Sequence, residues 1–238
     1  MSGNIATADL NNVVAIGKSC MEGVLTTDAS DTVGIGKDAL RTLTSGTRNT
    51  AIGYQTLEAC TTGGDNTAVG FNAATTLPAA SNRNTAVGSY ALTAGNHANC
   101  EDNVMVGFYT GVAITDGQNN VCIGANSGAG LTSGGGNTSV GREAMSTLDV
   151  ALTGSNNTCI GEQSGKLLQG AAQQNTLIGQ SAGNSITTGG TNTIIGYDVD
   201  VAATQDSAFA IGRSFVAGSA VNGFTVGNGT NTMFYDLD

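Results

Sequence analysis

Apolar and polar residues alternate in a short motif that recurs along the whole chain. It reads Asn-Thr-Ala-Ile/Val-Gly, as in "NTAIGYQTL" from Asn49 and "NTAVGFNAA" from Asn66. Alignment on the glycine gives Gly17, Gly36, Gly53, Gly70, Gly88, Gly107, Gly124, Gly141, Gly161, Gly179, Gly196, Gly212 and Gly227, thirteen positions spaced 15 to 20 residues apart. The residue before each glycine is always Ile or Val, and the residue three before is Thr, Val or Phe. Between them stands a mostly small residue, such as Ala51, Ala68, Ala86, Cys122, Ser139 or Cys159. Such period-two alternation predicts a three-residue β-strand with one buried face. The β-branched side of each strand is expected to face the core. The small side, with Ala51, Ala68 and Ala86, is expected to face outward, where another backbone can approach closely.

After each glycine come two variable residues and then a small one, as at Ala39, Thr56 and Ala73, followed by a further apolar position such as Leu43, Ile114, Leu131 or Ile186. A glycine-containing turn then returns the chain to the next asparagine. Two short strands and two turns per unit predict an all-β parallel β-solenoid of about 13 coils, in which stacking buries what one coil cannot bury alone. The solenoid is expected over residues 1–227, with 228–238 as a C-terminal cap or junction, because bare solenoid ends expose strand edges. Asparagine stands four residues before the glycine in nine consecutive coils: Asn49, Asn66, Asn84, Asn103, Asn120, Asn137, Asn157, Asn175 and Asn192. These side chains are expected to form a structural ladder of turn residues bonded coil to coil.

Composition narrows the function classes. The 238 residues include 36 glycines, one proline and no tryptophan, with 5% aromatic and 11% charged residues. A net charge of −10 opposes nucleic-acid binding, and no basic runs or aromatic platforms are evident. No run approaches a membrane span, so no membrane insertion is expected. The N-terminus has no cationic start followed by an apolar run, which suggests synthesis in the cytosol without a signal peptide. The five cysteines are scattered and read as reduced packing residues. Cys122 and Cys159 stand two coils apart, about 10 Å by strand spacing and too far for a disulfide.

The repeats "NTAIGYQTL", "NTAVGFNAA", "NTSVGREAM" and "NTLIGQSAG" resemble the head repeats of trimeric autotransporter adhesins. They are also similar to Asn-Thr-Ala-Ile-Gly arrays in phage and algal-virus tail-fibre proteins. The resemblance covers roughly residues 11 to 227. It implies a left-handed parallel β-roll with three chains side by side, and hence a homotrimer. The coils are longer than the usual adhesin repeat. A viral fibre segment at the virion surface, structural and adhesive, is the function this resemblance implies.

Chemical machinery is sparse. Ile-Gly-x-x-(Ala/Ser/Thr) also resembles the hexapeptide of left-handed β-helix acyltransferases, which occurs about three times per coil there and once here. The single histidine, His97, has no partner acid assignable by spacing. No cofactor, catalytic set or metal cluster is expected. Recognition is expected in loops, since stacking dictates the strand positions. The coils ending at Gly36, Gly107 and Gly161 are the longest, and their extra residues should bulge. The segment "NHANCED" holds His97, Glu101 and Asp102. It is read either as a solvated loop or as a contact to a host-surface glycan or protein, repeated around the trimer for avidity. An ice-binding solenoid is the alternative, from the row Thr50, Thr67 and Thr85. Its objections are that these threonines share the face assigned to the core and that Val104 and Val121 interrupt the row.

Overall fold

A three-residue strand exposes six backbone polar groups, and only neighbouring strands can satisfy them all. The computed structural model shows how this is met, and it describes residues 11–25, 29–93, 100–147, 150–217, 224–228 and 232–235. The strands are β1 (Val14–Ile16), β2 (Val33–Ile35), β3 (Thr50–Ile52), β4 (Thr67–Val69), β5 (Thr85–Val87), β6 (Val104–Val106), β7 (Val121–Ile123), β8 (Thr138–Val140), β9 (Thr158–Ile160), β10 (Thr176–Ile178), β11 (Thr193–Asp200), β12 (Phe209–Val216), β13 (Phe224–Gly227) and β14 (Thr232–Tyr235). Each of β1 to β13 carries or immediately precedes one of the thirteen repeat glycines. The chain divides into two compact units, Met1–Asn119 and Asn120–Asp238. In the first, β1 to β6 pair successively and in parallel. In the second, β7 to β13 do the same. The register places equivalent residues side by side, for example Thr50 beside Thr67 and Ile52 beside Val69. Each unit is therefore a stretch of parallel β-solenoid. β14 pairs antiparallel with β13 and so covers the edge that β13 would otherwise leave open.

The strand faces are the reverse of the sequence expectation. The middle residue of the strand points inward: Ala51, Ala68, Met105, Cys122, Ser139, Cys159 and Leu177 are fully buried. The Thr and Ile/Val residues that flank it point outward. Ile52 is 38% exposed, Ile123 40% and Ile160 39%. The other half of the coil is also different: among the described residues it forms no separate second strand in the coils of β1 to β10, only isolated parallel bridges at Leu131–Leu152 and Leu152–Gly170, while β11 and β12 run on through it. It runs through turns with left-handed residues at Leu40, Leu57 and Leu92, with φ of 50 to 53°. These turns still bond coil to coil, as in Leu40 N–H to Thr56 O at 2.9 Å and Leu92 N–H to Thr110 O at 2.9 Å. Their leucines are fully buried, and they explain why the strand's inward residue must be small.

The two sides share one narrow interior, and their volumes compensate. Where one partner is glycine, the inward strand residue lies against the residue six positions later, as Gly34 does against Leu40 and Cys159 does against Gly165. A small strand residue meets a large turn residue in Gly34/Leu40, Ala51/Leu57, Ala86/Leu92 and Ser139/Met145. A larger one meets glycine in Met105/Gly111, Cys122/Gly128, Cys159/Gly165 and Leu177/Gly183. A methyl group on Gly111 would lie 2.5 Å from the Met105 sulfur, and one on Gly128 2.3 Å from the Cys122 sulfur. In these coils the interior is close-packed, with one volume shared between two positions; the coil of β4 departs from the rule, since Ala68 and Ala74 are both small and buried.

The repeat glycine has a separate cause. At Gly53 φ is +137°, and a methyl group there would sit 2.1 Å from the Gly70 carbonyl oxygen. Neither the backbone conformation nor the coil above admits a side chain.

Volume sharing is testable. Gly128→Leu should lower stability in urea unfolding by about 1–3 kcal/mol from overpacking, plus about 1–2 kcal/mol for a left-handed leucine. Adding Cys122→Ala should restore about 1–3 kcal/mol, because the pair then matches Ala51/Leu57. A double variant no more stable than Gly128→Leu would refute the pairing.

Candidate functional site

Three columns of side chains run coil to coil, and their environments assign them different work. The asparagine column is internal. In the first unit, Asn49, Asn66, Asn84 and Asn103 are buried. The Asn49 Oδ1 accepts from both the backbone N–H and the side-chain Nδ2 of Asn66, at 3.0 and 3.1 Å. Asn84 bonds Asn66 in the same way, and Asn103 bonds Asn84. Each Nδ2 also reaches a carbonyl across the turn, such as Gly63 O at 2.8 Å from Asn49. The second unit repeats the arrangement from Asn120 through Asn137, Asn157 and Asn175 to Asn192. Ala208 N–H closes it on Asn192 Oδ1 at 2.8 Å. With their amides engaged inside the coil, these residues offer nothing to a ligand.

Of the expected recognition loop, His97 lies outside the described residues, as do residues 26–28, 94–99 and 148–149 from the three long coils. Glu101 and Asp102 are described, and they point back to the preceding coil. Arg83 donates to Asp102 at 2.6 and 2.9 Å and to Glu101 at 2.8 Å, and Asn82 Nδ2 donates to Glu101 at 3.1 Å. The Arg83 guanidinium holds the Asp102 carboxyl below the usual carboxylate range. Arg48 does the same for Asp65 one column-step earlier. These acids serve coil-to-coil pairing. Cys100, in the same segment, is fully buried, with its thiol pushed up to about 12 by burial. Burial likewise pushes Cys60 up to about 11 and Cys122 up to about 12. Such thiols stay protonated and unreactive.

The outward strand face is the second column. Thr50, Thr67 and Thr85 align in register beside Ile52, Val69 and Val87 in the first unit. Thr138, Thr158, Thr176 and Thr193 align beside Val140, Ile160, Ile178 and Ile195 in the second.

The third column was missed in the sequence, where the aromatic residues look scattered. The two residues after each repeat glycine bring Tyr54, Phe71, Tyr90, Phe108 and Tyr109 together in the first unit. Tyr54 stacks on Phe71 with centroids 5.1 Å apart, Phe71 meets Tyr90 edge-on at 5.4 Å, and Tyr90 lies 5.0 Å from Tyr109. Phe108 packs on Tyr109 at 4.5 Å. Phe71 is 46% exposed and Phe108 52%. The absence of aromatic platforms inferred from composition is thus corrected: coil stacking builds one from residues 17 to 19 apart in sequence. Counting positions from the repeat glycine would have revealed it.

Among the described residues no group of three His, Cys, Asp or Glu side chains could hold a metal ion, and no helix is long and apolar enough to cross a membrane. No family model, curated protein or solved structure matches the chain.

The Arg83 pairing sets a pH dependence. Asp102 is depressed in the folded state, so its stabilising contribution is present above the ordinary carboxylate pKa of about 3.9 and is lost as pH falls through the folded value. Carboxyl carbon NMR should show Asp102 titrating at a higher pH in Arg83→Gln than in the parent. An unchanged midpoint would remove Arg83 as the cause.

Proposed function

We propose that this protein is a structural fibre segment that assembles with copies of itself, as a homotrimer, and carries surface features for attachment to a host surface. One observation carries the reading: the Ile/Val side of every strand faces outward. Single exposed apolar residues are ordinary, but a contiguous apolar file on strand after strand marks a surface that another protein covers. Its low charge and its repetition at one strand spacing suit it to a second copy of the same face, in a closed cyclic arrangement. The resemblance to trimeric adhesin heads and viral tail-fibre arrays supports three copies and a virion-surface or extracellular setting. The expected contact therefore moves from the small residues, which are internal, to the β-branched ones.

Ice binding is the second reading, and one observation favours it. The aligned threonines face solvent, so the objection that they belong to the core no longer applies. The parallel file of Ile and Val, with Val104 and Val121 in the threonine row, favours protein contact over a lattice of water. Thermal hysteresis in the purified protein is the measurement that would reverse this order.

Assembly is tested by two neighbouring substitutions. Val69→Arg should fold, with far-ultraviolet circular dichroism unchanged, yet sediment at the mass of a single chain. Ala68→Arg should fail to give soluble folded protein, because it places an unpaired charge in a fully buried position. A Val69→Arg protein that keeps the parent's assembled mass would overturn the interface, as would a parent that is itself a single chain at micromolar concentration.

A further inference from the structure

Among the described residues, rings stack at the surface in two places. One is the aromatic ridge beside the repeat glycines of the first unit, from Tyr54 to Tyr109. The other lies on the outward strand face of the second unit, toward its C-terminal end. There the position three before the repeat glycine reads Val121, Thr138, Thr158, Thr176, Thr193, Phe209 and Phe224. These residues stand side by side in the sheet, with Ile or Val two positions on in every strand. From β8 to β11 the face therefore pairs a hydroxyl with a β-branched side chain, and in β12 and β13 it pairs a ring with one. Phe209 stacks on Phe224 with centroids 5.1 Å apart. β14 widens this apolar patch, since Met233 lies beside Val226, and Phe209, Val226 and Met233 are all exposed. No charged residue stands at either outward position of β7 to β13. The strand itself does not need the rings, because threonine fills the same position in β8 to β11.

We propose that the stacked pair Phe209 and Phe224 sets the register in which copies of this chain assemble. The inference rests on self-assembly as proposed for this face, and it names the site that aligns the copies. A closed ring of copies requires each coil to meet the same coil of its neighbours. A slip of one coil at every contact accumulates around the ring and leaves an open helical fibre instead. The threonine coils cannot prevent such a slip. Thr138, Thr158, Thr176 and Thr193 repeat at one strand spacing, about 4.8 Å, so most of them meet a like residue even when the chains are shifted by one coil. The ring pair can prevent it. A shift of one coil sets Phe209 against Thr193 of the neighbouring copy. The hydroxyl there is covered by a ring and loses its water without gaining a hydrogen-bond partner, and a ring-to-ring meeting is lost. In register, rings meet rings and hydroxyls meet hydroxyls. Two observations select a second copy as the occupant. The order of hydroxyls and rings along the face is matched coil for coil by the same face of another copy. The patch is also continuous with the Ile/Val file, since Phe209 and Phe224 stand two residues before Ile211 and Val226 on the same strands. Aromatic side chains at the covered centre of a contact are a common feature of protein interfaces.

The test uses the full chain and two double variants, each checked for the parent's far-ultraviolet circular dichroism. Phe209→Thr/Phe224→Thr extends the threonine file through β13. The fold already carries threonine at this position in β8 to β11, so the variant should fold. Sedimentation velocity should give the parent one assembled mass. It should give the variant a spread of masses above that value, with the parent's species reduced at least about tenfold. Thr193→Phe/Phe224→Thr moves the ring pair by one coil. This variant should assemble alone to the parent's mass. Refolded together with mass-tagged parent, it should form mixed assemblies at least about tenfold below their statistical share, read by native mass spectrometry. A first variant that keeps the parent's single mass overturns the proposal. So does one that falls to a single chain, because the pair would then supply affinity and not register. Statistical mixing of the second variant with the parent overturns it equally, and that measurement decides alone if the first variant does not fold. A parent of single-chain mass sinks the assembly reading and the register with it. An assembled parent combined with any of the other failures sinks the register alone.

Discussion

Every coil has to repeat at the spacing of hydrogen-bonded strands, about 4.8 Å, and the rest of the structure answers to that constraint. At such a spacing equivalent residues of successive coils touch. A position is then defined by what can be stacked on itself. Glycine stacks backbone on backbone where even a methyl group would strike the next carbonyl, as between Gly53 and Gly70. Asparagine stacks because one amide is donor and acceptor at once, so the Asn49 oxygen can serve Asn66 while its nitrogen serves Gly63. Charged residues stack by alternating in sign, as Arg83 does with Asp102. Aromatic residues stack by their faces and edges.

The interior obeys the same constraint in a different way. Each coil holds one slice of core, in which the inward strand residue and the turn residue six positions on pack beside further buried residues such as Leu43, Leu77, Ile114 and Leu131. Neither is specified alone. Met105 is acceptable because residue 111 is glycine, and Ala51 because residue 57 is leucine. A core this thin explains the composition, which is rich in glycine, alanine and threonine and nearly free of large rings. Most of the aromatic side chains are outside, among them Phe71, Phe108 and Tyr197, where a column has room for them.

Outside, the columns differ in what they leave exposed. The paired charges are self-contained, and surface pairs of this kind contribute little to stability. The Ile/Val file and the aromatic ridge are not self-contained, since each presents apolar area that nothing within its unit covers.

The thirteen-fold motif was enough to establish strand, register and period, because stacking forces equivalent residues into contact and so imprints its spacing on the chain. The roles of Asn49 to Asn192 as turn residues were legible for the same reason. The inside of the coil was not. Alternation of period two declares that a strand has two faces, but Thr50 and Ile52 on one and Ala51 on the other say nothing of which is enclosed. That choice depended on the turn side of the coil, where Leu57 fills the interior and leaves room only for alanine. The aromatic ridge was hidden likewise, because Tyr54, Phe71, Tyr90 and Tyr109 are distant in sequence and become neighbours only when coil lies on coil. Local pattern determined the repeat. Which face is buried, and which scattered residues meet, were decided by volumes and contacts that exist only in the folded stack.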